Sequence, residues 1–153
     1  MNNILLIKTL SYPLLSVGII MIILGMRWIF YPEPWMLDEV ANVERLQMSF
    51  DELFADDINK TLPGYLKQIY EFFGLWVIII GLFITFYSSP KMMIKKHIAT
   101  RLLFIFAFLV VSGLYFGYKL IPSSHFIFFG WGMMLAFLIS LFSFYKLNII
   151  NNE

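Results

Sequence analysis

The stretch Phe72-Phe73-Gly74-Leu75-Trp76-Val77-Ile78-Ile79-Ile80-Gly81-Leu82-Phe83-Ile84-Thr85-Phe86-Tyr87 carries no charge in sixteen consecutive positions. A half-solvated strand or a membrane-barrel strand alternates apolar and polar residues, and this stretch does not alternate. Together with its flanks it covers residues 67–88, matching the roughly 20 residues a helix needs to cross about 30 Å of hydrocarbon. A helix closes its own backbone hydrogen bonds, as a lipid environment demands. Three further stretches qualify: residues 9–30, 102–118 and 125–145.

The rest of the chain agrees. Of its 153 residues, 60% are hydrophobic and 14% charged, with mean hydropathy +0.79. Soluble domains hold about 45–50% apolar and about 25% charged residues. The composition therefore excludes a cytosolic globular domain and a disordered tail. A formal net charge of +1 leaves no phosphate-neutralising surface, so nucleic acid is excluded as a partner. The absence of cysteine excludes disulfides, thiol redox chemistry and thiolate metal sites. The fold class expected is all-α: one polytopic four-transmembrane-helix bundle over residues 1–153, in contact with a lipid bilayer.

Basic residues set the orientation. The connection over residues 89–101 holds Lys91, Lys95, Lys96 and Arg101 and no acid, whereas residues 31–66 hold eight of the ten acids. With Lys8 and Lys146 on the basic side, both termini are expected inside and the acidic segment outside, in a bacterial inner (cytoplasmic) membrane. The first span is read as a retained helix, because it is long for a signal peptide and offers no small-x-small cleavage site.

The acidic segment is expected to form a short amphipathic helical cap in the outer 1–2 loop. Pro32 and Pro34 end the first helix, and Met36, Val40, Val43, Phe50 and Phe54 fall on one helical stripe. Ser49 with Glu52 fits a capping box, which allows two short helices instead of one. Trp28, Trp35, Tyr65, Tyr70 and Tyr118 are expected to form an outer aromatic belt.

Small residues mark faces where transmembrane helices meet. In the second span Glu71, Gly74, Ile78, Gly81, Thr85 and Ser88 share a face, opposite Phe72, Trp76, Phe83 and Tyr87. In the fourth, His125, Phe129, Gly132, Ala136, Ser140 and Ser143 form a stripe. In the third, Gly113 and Gly117 make a GxxxG step beside Phe106 and Val110. The first span stays open: Gly18 and Gly25 lie on one face, while Ser16, Ile20, Ile23 and Arg27 lie nearly opposite.

Arg27, Glu71 and His125 all lie near the outer interface and are expected to converge, with an Arg27–Glu71 ion pair as the first arrangement. Tyr70, Tyr115 and Tyr118 would add hydroxyls, and Lys119 a cation nearer water; these seven are the candidate ligand-binding residues. Two plainer readings stand beside it: snorkelling anchors at helix ends, or a purely structural ion pair. No catalytic or metal-binding set is read from the sequence. The two histidines, His97 and His125, fall on opposite sides of the membrane, which argues against a bis-histidine haem. No phosphate-binding glycine loop, nucleophile elbow, midplane carboxylate or inverted repeat is found.

The layout resembles the DoxX-like group of small four-helix membrane proteins. The resembling features are Leu24-Gly25-Met26 before Pro32, Leu66-Lys67-Gln68-Ile69-Tyr70-Glu71-Phe72-Phe73-Gly74, Ile80-Gly81-Leu82 and the basic inner loop. The long acidic segment and Glu71 depart from the group's pattern. Some members are membrane subunits associated with quinone-linked oxidoreductases, and the resemblance supplies no catalytic set. The expected function is a non-catalytic accessory or scaffolding subunit, with a membrane-protein partner or a homo-oligomer. The alternative is a subunit binding a quinone, lipid or other amphipathic molecule in an outer-leaflet pocket, and a third reading is a small dimeric transporter.

Overall fold

The computed structural model describes residues 3–150. In chain order it contains α1 (Asn3–Phe30), a 3₁₀ turn (Pro34–Asp38), α2 (Glu39–Leu46), α3 (Phe50–Ala55) and a second 3₁₀ turn (Asp57–Asn59). Then come α4 (Leu62–Tyr87), α5 (Pro90–Met93), α6 (Lys96–Leu120) and α7 (Phe126–Ile150). Four of these, α1, α4, α6 and α7, are long and apolar enough to cross a membrane. Each runs past the hydrophobic stretch that reveals it, because helical hydrogen bonding continues into the polar flanks; Lys8, for example, lies inside α1.

Small residues spaced seven apart join α1 to α4. Ser11, Gly18 and Gly25 on α1 meet Ser88, Gly81 and Gly74 on α4, so that residue i faces residue 99 − i. A Cβ on Gly25 would lie 2.6 Å from the Gly74 carbonyl oxygen, and one on Gly74 2.7 Å from the Gly25 oxygen. At the next heptad, a Cβ on Gly81 would stand 2.8 Å from the Gly18 oxygen. The Ser11 hydroxyl donates to the Ser88 carbonyl at the far end of the seam. A period of seven on both helices keeps such a seam facing its partner along a left-handed crossing. Backbones approach this closely only where no side chain intervenes, the usual basis of helix association in lipid. The open question about α1 is thereby answered: Gly18 and Gly25 face inward, and Ser16, Ile20, Ile23 and Arg27 are exposed.

Large side chains build the other contacts. Helix α1 also packs along α7, and α7 along α6, whereas α4 and α6 barely touch. The core between them gathers Leu10, Leu14, Val17 and Met21 of α1, Leu102, Phe106 and Val110 of α6, and Met133 and Ala136 of α7. The Phe106 and Phe137 rings stack at 6.3 Å. These side chains hold α6 and α7 apart, so the Gly113–Gly117 step is not a close-packing site. A Cβ on Gly113 would meet nothing within 4 Å, and one on Gly117 would be 3.5 Å from Ile127 Cγ1. The expected α7 stripe is also corrected: Ala136, Ser140 and Ser143 are buried, but Gly132 and His125 are exposed and Met133 takes the inward place.

The acidic segment folds as two short helices. Gln47 adopts a left-handed backbone (φ 59°) that ends α2, its N–H donating to the Val43 carbonyl at 2.9 Å. Ser49 then opens α3 with a full capping box: its N–H donates to Glu52 Oε2 (2.9 Å), and the Glu52 N–H donates to Ser49 Oγ (3.2 Å). The buried face differs from the expected stripe. Trp35, Leu37, Ala41 and Phe50 are buried, while Val40 is 70% exposed. The Trp35 ring meets Phe54 edge-on at 5.6 Å and Phe50 at 6.1 Å. Trp28 and Trp35 are therefore packed inside rather than in an aromatic belt, while Tyr65 and Tyr118 remain exposed.

Candidate functional site

Polar and apolar groups converge where the acidic segment meets α1, α4 and α7. The turn Pro34–Asp38 ends on Asp38, which is held between membrane helices because the preceding Trp35 and Leu37 are buried. Asn42 follows one turn into α2. Its Nδ2 donates to the Trp35 carbonyl at 2.7 Å and to Tyr70 Oη on α4 at 3.1 Å, tying the acidic segment to the second membrane helix. Both amide hydrogens are thus used, leaving Asn42 Oδ1 to accept and the Tyr70 O–H to donate.

His125, just before α7, brings Nδ1 to 3.2 Å from Asp38 Oδ1, an ion pair when the imidazole is protonated. The Asp38 side chain is only 12% exposed against 58% for His125. Asp38 Oδ1 is fully buried and receives no aligned hydrogen bond. A buried carboxylate oxygen in that state is costly unless a donor reaches it.

Beneath these groups lies a cavity of about 460 Å³. Met21 and Leu24 of α1, Phe73 and Val77 of α4, and Phe129 of α7 form apolar walls, with Asp38, Asn42 and Tyr70 also lining it. Trp28 anchors the junction, its ring 5.0 Å edge-on from Phe73 and 4.8 Å from Phe126. Apolar walls with a few convergent polar groups are the usual make-up of a small-molecule site.

The sequence-derived residues divide. Tyr70 lines the cavity and His125 meets its acid. Arg27 and Glu71 do not pair; among the described residues the one ion pair is His125–Asp38. The seam explains why. Arg27 follows Gly25 by two residues, about 200° around the helix, so it is exposed on the far side of α1, while Glu71 sits half-buried near the seam. Tyr115, Tyr118 and Lys119 lie exposed at the end of α6, outside the cavity lining. Trp131 Nε1 donates to the Tyr118 hydroxyl at 2.9 Å, and Lys119 Nζ stands 5.9 Å from the Tyr115 ring centre.

Sequence reasoning passed over Asp38 and Asn42. Asp38 is one of eight acids in its segment and directly follows the apolar run Trp35-Met36-Leu37, the one signal separating it from its solvated neighbours. Among the described residues no three His, Asp or Glu side chains cluster closely enough to hold a metal ion. Comparison with family models, curated proteins and solved structures returns no match.

Proposed function

We propose that this small multi-pass membrane protein binds an amphipathic molecule, of lipid or quinone type, at the end covered by its acidic segment. The observation carrying this reading is the cavity of about 460 Å³ whose apolar walls end at Asp38, Asn42 and Tyr70. The tail lies among Met21, Leu24, Phe73, Val77 and Phe129. The head donates to the Asp38 carboxylate, which His125 flanks, and accepts from the Tyr70 hydroxyl. In this reading the segment over residues 31–66 acts as a cap on the outer side of a bacterial cytoplasmic membrane, with both termini on the inner side, an orientation that the bias of basic residues supports. The DoxX-like layout is carried as part of the same proposal, since some members of that group are associated with quinone-linked oxidoreductases.

The test is mass spectrometry of small molecules extracted with protein purified from its native membrane. One amphipathic species is expected in near-stoichiometric amount, reduced by Asp38→Asn or Tyr70→Phe and lost in Val77→Trp, which fills the cavity. Empty wild-type protein, or a bound species indifferent to Val77→Trp, overturns the proposal.

A second reading, an accessory subunit, is favoured by one feature: Ile58 and Val40 stand 82% and 70% exposed among the acids of the outer segment. Copurification in mild detergent tests it, with Val40→Asp and Ile58→Asp expected to release the partner. A monomeric, partner-free protein in native lipid counts against it.

A further inference from the structure

The acids of this chain are gathered toward one end. Nine of the ten acids lie between Glu33 and Glu71, and the tenth is Glu153. At the opposite end Lys91, Lys95, Lys96 and Arg101 are all exposed, and no carboxylate among the described residues stands there to pair with them. Arg101 differs from the three lysines by its place. It sits one turn into α6, at the mouth of a groove of about 570 Å³ between α4 and α6.

That groove exists because α4 and α6 barely touch. The glycine seam draws α4 toward α1, while Phe106 and Val110 pack α6 against α7. The α4 wall is Ile80, Phe83, Ile84 and Tyr87; the α6 wall includes Ile105, Phe108 and Leu109. The one serine in the lining, Ser112, gives its hydroxyl to the Phe108 carbonyl at 2.6 Å. A second transmembrane helix packs through small residues, and those of α4 are already committed to α1. Long aliphatic and aromatic walls instead suit a flexible acyl chain.

We propose that the α4–α6 groove is a binding site for an anionic phospholipid. One acyl chain runs between Phe83, Ile105 and Phe108, and the phosphate pairs with the Arg101 guanidinium. A guanidinium presents a planar fork that matches a phosphate in two-point contact. Lys95 and Lys96 add to the potential without entering the groove lining. The site is separate from the capped cavity at the acidic end.

Native mass spectrometry of the detergent-purified full chain, titrated with phosphatidylglycerol or phosphatidylcholine, tests it. Wild-type protein is expected to bind phosphatidylglycerol more tightly. One basic residue near an anionic lipid contributes a factor of about five, so Arg101→Gln should lower that affinity about fivefold and leave phosphatidylcholine unchanged. Ile105→Trp, which fills the groove, should weaken both lipids, while Lys146→Gln at the same end of α7 should change neither. Arg101 and Ile105 are exposed, and an unchanged helical circular-dichroism spectrum verifies folding. Equal effects of Arg101→Gln and Lys146→Gln, or no effect of Ile105→Trp, overturn the proposal. Efficient disulfide cross-linking of Phe108→Cys between two copies in vesicles also overturns it, by showing a protein in the groove; the chain has no native cysteine to confuse the result.

Discussion

Replacing Gly25 by alanine tests the seam that organises the molecule. The new methyl would stand 2.6 Å from the Gly74 carbonyl oxygen, 2.7 Å from Ile78 Cγ1 and 3.0 Å from the Ile78 nitrogen. Ordinary contact begins near 3.4 Å, so α4 must retreat by about 0.8 Å. Two of the three obstructing atoms are backbone, so a side-chain rotation cannot relieve the clash. A stiff helix transmits the retreat along the seam to the Gly18–Gly81 contact. Overpacking of this kind costs about 1–3 kcal/mol, opposed by up to about 1 kcal/mol of alanine's helix preference. The net expectation is about 1–2 kcal/mol of destabilisation. Gly132→Ala is the matched control, because a Cβ there meets nothing within 4 Å; only the helix preference acts, and stability should hold or rise. Gly130→Ala should fall between, since its Cβ would meet the movable end of Leu114 at 2.8 Å. Reversible denaturant unfolding in mixed micelles, followed by tryptophan fluorescence and circular dichroism, supplies the comparison. Combining Gly25→Ala with Gly74→Ala should cost less than the sum, because both separate the same pair of helices. If Gly25→Ala proves as stable as Gly132→Ala, α1 and α4 do not meet through their glycines and the reasoning fails.

The capping box supplies a pH-dependent element outside the membrane. Donation from the Ser49 backbone N–H, then its side chain, holds the Glu52 carboxyl below its ordinary value of 4.5. A lowered folded value means the contribution to α3 is fully present above that ordinary value and is lost as pH falls through the lowered one. The protection of the Glu52 amide, measured relative to its intrinsic exchange rate at each pH, should therefore fall on acidification, and Glu52→Gln, which keeps an acceptor but has no titrating carboxyl, should remove this pH dependence; an unchanged acid response in that variant refutes the assignment. At the other end of the segment, Asn42→Ala removes donors to both Trp35 and Tyr70, and about 0.5–1.5 kcal/mol per bond is expected. Amide exchange across α2 should rise while the membrane helices stay protected, and uniform protection would show that the tether contributes nothing.

Much of the α1–α4 contact was written in local spacing. Gly18 and Gly25 repeat at seven residues, as do Gly74 and Gly81 with Ser88, and the α4 face was read correctly from smallness alone. Smallness misled where large residues decided the distance: Gly113 and Gly132 look like packing sites in one dimension, yet α6 and α7 are spaced by Phe106, Val110 and Met133. Charge misled in the same way. Arg27 and Glu71 share a depth, but depth does not fix the direction around a helix, and Arg27 lies about two residues' rotation from the seam.

The sequence by itself determined four apolar helices, the gathering of acids in one segment and the capping box at Ser49. Each depends on composition or on residues within one or two helical turns, where helix geometry is already known. Only the tertiary structure decided which neighbour each face meets, that Asp38 and Asn42 are drawn over a cavity, and that α4 and α6 leave a groove. Those outcomes depend on the distances at which several helices settle together. Side-chain volumes on different helices set those distances jointly, and no single helix carries them in its own pattern.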